Sequence, residues 1–195
     1  MGKLPRAREE RMRHGRFPGR ERQSARRRTR RLLRSDRSHG ATEGTRLIID
    51  TSGAALQEAL NEGVYLIKPN KREFEALIGE SFADEQAMIR AARRLIDNDR
   101  IEIAAISLGH EGGLIVTRDS VWRAQAVPVQ ARSAVGAGDS FVGALAWSLA
   151  NGDPLIESFR YAVAAGAAAL LSPGTELCSA HDVLRLKSEV RIDPR

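Results

Sequence analysis

The segment SAVGAGDSFVGALAWSLA, residues 133–150, holds the residue types best suited to chemistry. Gly136 and Gly138 let the backbone turn sharply and come close to a ligand, and the amphipathic run behind them starts a helix. The N–H groups at such a helix start favour an anion, through partial charge as much as through hydrogen bonding. Asp139 then stands in the first turn as a fixed carboxylate beside that anion site. In phosphoryl transfer a carboxylate so placed accepts the proton of an attacking hydroxyl, while the N–H groups hold charge developing on the phosphate. The plainer alternative is an Asp that only stabilises its own helix N-terminus, and GAGD alone does not separate the two.

Three further segments could border the same site. In IKPNKREFEAL, 67–77, a strand ends at Lys68-Pro69 and a helix begins near Asn70, with Glu73 three residues on. That spacing predicts a reciprocal helix cap, and the same two polar groups could also sit near phosphate-bound magnesium. In ISLGHEGGLIVT, 106–117, Ser107 closes a strand, and Gly109, Gly112 and Gly113 form a turn able to bring backbone close to a nucleotide. LLSPGTELC, 170–178, breaks a helix at Pro173-Gly174. His110, His181 and Cys178 are read as surface or packing groups rather than ligands.

The elements that position these segments are legible from Arg46 onward. RLIID (46–50), VYLI (64–67), IEIAAIS (101–107), GLIVT (113–117) and VWRAQAV (121–127) are short β-branched runs that read as strands, the last two as a hairpin around Arg118-Asp119-Ser120. Between and after them, helices are expected over GAALQEALNEG closed by Gly63, over 71–78, 84–98, 138–150 and 155–171, and near 181–189. Alternation of strand and helix followed by a hairpin predicts one layered α/β domain over 46–195 with a mainly parallel sheet.

Charge divides the chain unevenly. Its 31 Lys/Arg and 25 Asp/Glu give a net +6, yet residues 1–45 alone hold 15 basic and 5 acidic residues. Only nine residues of that segment are apolar, without helical or strand period, so it is expected to be a disordered Arg-rich tail. RRRTRR at 26–31 could neutralise phosphates as a nucleic-acid arm, or be a solvated charge run. The favoured reading is out-of-frame translation: shifting residues 16–37 by one base permits DFLVASGSLPAGVPADFYARI, a buried strand, a turn and a helix start. Nucleic acid is therefore not the expected partner. No run approaches 18 apolar residues, so no membrane span is expected. One cysteine rules out an internal disulfide and fits a reducing cytoplasm.

Taken in order, IDTSGAAL, IKPNKREFEAL, SLGHEGGLIVT, VGAGDSFVGAL and SPGTELC resemble the ribokinase-like (PfkB) carbohydrate kinases over essentially all of 46–195. The likeness is strongest to the hexose-phosphate branch, above all its minor 6-phosphofructokinases. The resemblance implies the C-terminal, ATP-binding half of a three-layer, Rossmann-like α/β ribokinase fold. It implies ATP-dependent transfer to a hexose phosphate, with Asp139 as catalytic base and Gly136, Ala137 and Gly138 as the anion hole. Lys68, Asn70, Glu73, Ser107, Gly109 and Gly112 would contact the nucleotide, with Asn70 and Glu73 organising Mg2+ through phosphate or water. Ser133, Val135 and Gly174 fall near a monovalent-cation loop that would take K+, although Ser133-Ala134 departs from the acidic or hydroxyl pair often found there. Such kinases are often homodimers, but their sugar site and dimerising lid lie in a preceding half that is expected to be missing here. Sugar binding is accordingly expected to be impaired, and a nucleotide-binding remnant without catalysis is the competing outcome.

Overall fold

A computed structural model describes residues 45–174 and 176–195. The expectation of a disordered, out-of-frame tail over 1–45 lies, but for Thr45, outside the described residues.

The described chain builds a six-stranded sheet in sequential order, flanked on each face by three helices. Its strands are β1 (Ile48–Ile49), β2 (Val64–Ile67), β3 (Ile101–Ser107), β4 (Gly112–Val116), β5 (Val121–Gln125) and β6 (Ile192–Pro194). The helices are α1 (Gly53–Glu62), α2 (Lys71–Ile78), α3 (Glu85–Asp97), α4 (Ala137–Ala150), α5 (Leu155–Ala169) and α6 (Ala180–Lys187). Every expected helix and strand is present, most within two residues of its expected ends.

The sheet is mixed, which corrects the expectation of a mainly parallel one. β1, β2 and β3 run parallel, with Ile48 opposite Leu66 and Leu66 opposite Ile103. From β3 to β6 every pairing is antiparallel, with Ser107 opposite Gly113 and Val116 opposite Val121. For β3 to β5 the cause is connection length. A parallel return needs a crossover of about a dozen residues or more, usually a helix, and the links after β3 and β4 are too short for one.

Because successive strand residues face opposite ways, one sheet feeds two cores. Ala104, Ile106, Leu114 and Val116 pack with Leu56, Phe74, Met88, Ala92 and Ile96 of α1–α3. Ile103, Ala105, Ile115 and Ala124 pack with Phe141, Leu145, Phe159, Ala164 and Leu186 of α4–α6. These strands are buried on both faces, so they read as continuous apolar runs rather than alternating ones.

Small residues let α4 and α5 approach closely. A Cβ on Gly166 would stand 3.4 Å from the Ala137 carbonyl, so α5 fixes the first turn of α4 against the sheet. Phe141 and Phe159 meet edge to face below, at 6.2 Å between ring centres.

Candidate active site

Parallel strands bring their C-terminal ends to one edge, and in this sheet those ends carry Asp50, Lys68 and Ser107. The backbone continues the ladder just past β2. Ser107 N donates to Pro69 O at 3.0 Å, and Asn70 bridges to Ser107. Lys68 N donates to Ile49 O at 3.0 Å, which seats its side chain beside the end of β1.

Lys68 is 5% exposed, and its Nζ lies 3.2 Å from Asp50 Oδ1. A buried ammonium needs such a counter-charge. Burial raises the Asp50 carboxyl above its ordinary value. Lys68 opposes that shift, while the negative charges of Glu73 and Asp139 add to it. Asp50 therefore feels one ammonium and two further carboxylates.

Asn70 and Glu73 form the expected reciprocal cap. Glu73 N donates to Asn70 Oδ1 at 2.9 Å, and Asn70 N donates to Glu73 Oε2 at 2.8 Å. The cap turns α2 away from the strand end while leaving Asn70 exposed.

The start of α4 closes the site from the other side. Gly136 holds φ at +81° as the helix N-cap, a left-handed conformation that glycine adopts without strain. Ser140 N donates to Gly136 O at 2.8 Å, and Ala137, Gly138 and Asp139 form the first turn, whose N–H groups have no intrahelical acceptor. A Cβ on Gly138 would stand 3.4 Å from Lys68 Nζ. The structure thus gathers Lys68, Gly138, Asp139 and Glu73 at one place, with Asp139 exposed.

The remaining predicted residues divide into two groups. Ser133 Oγ donates to Gly174 O at 2.8 Å and accepts from Val135 N at 3.2 Å, which joins the loop before α4 to the loop after α5. Gly109 opens a short 3-10 turn. Gly112 has a structural reason to be glycine: its φ is +104°, and a Cβ there would lie 2.6 Å from Ala126 N and closer still to Ala124 O. Of this loop, Ser107 stands beside Asn70, whereas Gly112 lies against β5.

Asp50 is the site residue that the sequence analysis did not single out. Its one signal was a carboxylate directly after a buried strand, a position that becomes telling only once β1 is known to flank β2. Among the described residues no group of three or more His, Cys, Asp or Glu could hold a metal ion directly. Magnesium does not need one, because it keeps several waters and is commonly held by one or two carboxylates together with substrate phosphates. The partly exposed carboxylate of Glu73 suits that mode.

Known proteins share this sequence and fold. The chain is 44% identical over 141 residues to the ATP-dependent 6-phosphofructokinase isozyme 2 of Mycobacterium tuberculosis, covering 72% of this chain and 41% of that protein. It is 39% identical over 145 residues to the isozyme 2 of Escherichia coli, covering 74% and 47%. The crystal structure of E. coli phosphofructokinase-2 in complex with substrates and products superimposes with a TM-score of 0.75 at 35% identity, over 84% of this chain and 52% of that one. The chain thus spans about half the length of the relatives it matches. Residues 26–182 match the pfkB family of carbohydrate kinases, a match that begins inside the Arg-rich segment and ends in α6. The chain belongs to that family.

Proposed function

We propose that this chain supplies the ATP-holding, phosphoryl-transferring half of a hexose-phosphate kinase of the phosphofructokinase type. The observation that carries this reading is the approach of the Lys68 ammonium to the Gly138 turn, with Asp139 in that turn and Glu73 nearby. In this reading the N–H groups of 136–138, at the cap and start of α4, and Lys68 hold the γ-phosphate oxygens. Asp139 takes the proton of the acceptor hydroxyl as its oxygen bonds to the γ-phosphorus. The bond from that phosphorus to the bridging oxygen breaks, and ADP carries the electron pair away. Asn70 and Glu73 would hold Mg2+ through water and phosphate, where it would neutralise charge on the transferring group. Ser133, Val135 and Gly174 would border a K+ site, which would steady the loops on either side of the turn.

Acceptor contacts are assigned to no residue of 45–195, so turnover by this chain alone is expected to be low. Holding the acceptor hydroxyl in line can by itself supply about 7–11 kcal/mol of a barrier. The test titrates the 195-residue chain with MgATP. It then follows ADP release with fructose 6-phosphate, fructose 1-phosphate and tagatose 6-phosphate offered separately. Saturable MgATP binding is expected and should not weaken with Asp139→Asn, while any sugar-stimulated ADP release should fall with that substitution by about 10²–10⁴-fold. A chain without affinity for MgATP refutes the reading. Binding without release under any acceptor marks a nucleotide-binding remnant.

A further inference from the structure

Asp50 is a carboxylate that the transfer step does not use, yet it holds the ammonium nearest the anion-binding turn. Lys68 Nζ has Asp50 as its ion-pair partner at 3.2 Å, the lysine side chain buried at 6% exposure and the carboxylate reaching solvent at 28%. The same Nζ stands 3.4 Å from where a Cβ of Gly138 would be. A phosphate reaching the Gly138 N–H must therefore come within reach of an ammonium already engaged by a carboxylate. It also meets the negative charge of Asp50 itself, which already interacts with Glu73 and Asp139.

We propose that Asp50 is an affinity-limiting carboxylate: it occupies Lys68 in place of a phosphate and competes with nucleotide phosphates for that ammonium. This inference rests on the nucleotide-site reading above. The chemistry is an exchange of partners. Before nucleotide arrives, Asp50 lets Lys68 stay charged while buried, which an unpaired ammonium could do only at high cost. When phosphate oxygens arrive, the three N–H donors of Lys68 turn to them, and Asp50 is left as a like charge beside the bound anion. A site built this way releases a polyanionic product more readily than one with a free lysine.

The experiment measures binding of adenosine, AMP, ADP and ATP to the full chain and to Asp50→Asn, with a chelator present so that no divalent ion bridges carboxylate and phosphate. Removing one like charge should tighten ATP by about tenfold, the scale of a single charge–charge interaction near a protein surface. The gain should shrink through ADP to AMP and vanish for adenosine. Asp50→Glu, which keeps the charge, should stay near the unsubstituted chain, and Asp50→Ser repeats the test if the amide disturbs folding. Equal gains along the series, or none, overturn the proposal while leaving the nucleotide site standing. No affinity for any of the four ligands in any of the variants overturns the proposal, and if it persists when Mg2+ is restored it overturns the nucleotide-site reading as well.

Discussion

Lys68 Nζ lies under the α4 glycine turn, 3.4 Å from where a side chain on Gly138 would begin. Strand end and helix start, far apart in the sequence, are thereby set against each other with an ammonium between them. The absence of a side chain at Gly138 leaves that ammonium uncovered on the side of the turn.

Gly138→Ala should separate stability from binding. Position 138 lacks a positive φ and belongs to a helix, so alanine should cost nothing in conformation and gain up to ~0.5 kcal/mol of stability there. Its methyl group, however, enters the space beside Lys68 Nζ. Thermal melts should show an unchanged or slightly higher midpoint, while calorimetry shows weakened MgATP binding. Unchanged affinity would mean that the turn does not face the nucleotide.

Asn70 and Glu73 should respond differently because the cap uses them differently. Asn70→Ala removes the acceptor for Glu73 N and should cost about 1 kcal/mol of stability by denaturant titration. Glu73→Gln keeps an oxygen to accept from Asn70 N, so the denaturation midpoint should hold. Its lost charge should weaken magnesium-dependent nucleotide binding by about 10–100-fold, as for groups that organise a metal from its outer shell. If Glu73→Gln instead lowers stability and leaves binding intact, the cap is its whole role.

Two loop glycines should differ in the cost of alanine. At Gly109 (φ +60°) nothing lies within 4 Å of an added Cβ, so only backbone strain applies, about 1 kcal/mol. At Gly112 the added atom would run into the β5 backbone at Ala124 and Ala126, so the ladder must also part, and the cost should exceed about 2 kcal/mol. Equal midpoints in urea for the two variants would contradict this packing.

Glu157 gives a pH-dependent tie between α5 and α6. Burial pushes its carboxyl up, but hydrogen bonds and charge from Arg160 and Lys187 outweigh that and hold it below the ordinary 4.5. A lowered carboxyl favours the fold above its unfolded value, and that contribution is lost as pH falls through the lowered one. With 42% of the side chain exposed, the contribution should not exceed about 0.5 kcal/mol. Glu157→Gln should lower stability at neutral pH and lose its difference from the unsubstituted chain as pH falls below the ordinary carboxylate range. A difference that persists undiminished there would show that the amide acts through packing instead.

Much of this protein was readable before any coordinates, because its signals are local. VYLI and IEIAAIS became strands over the expected residues, since short apolar runs between polar ends have few other outcomes. The Asn70–Glu73 cap and the helix opening at Gly136–Asp139 followed from spacing alone, because a helix end must satisfy its own first N–H groups. β6 was not visible: Ile192-Asp193-Pro194 is too short to show a period, and it becomes a strand only because β5 offers it an open edge, where proline is tolerated. The direction of β4 against β3 was set by a short connection that the strand pattern alone did not weigh. Asp50 shows the limit most clearly. In the sequence it is one carboxylate after a strand, and its bond to Lys68 exists only because parallel pairing of β1 with β2 places the two strand ends side by side. Local order follows from neighbours along the chain, whereas a site made of strand ends and a distant helix start exists only when the sheet registers them.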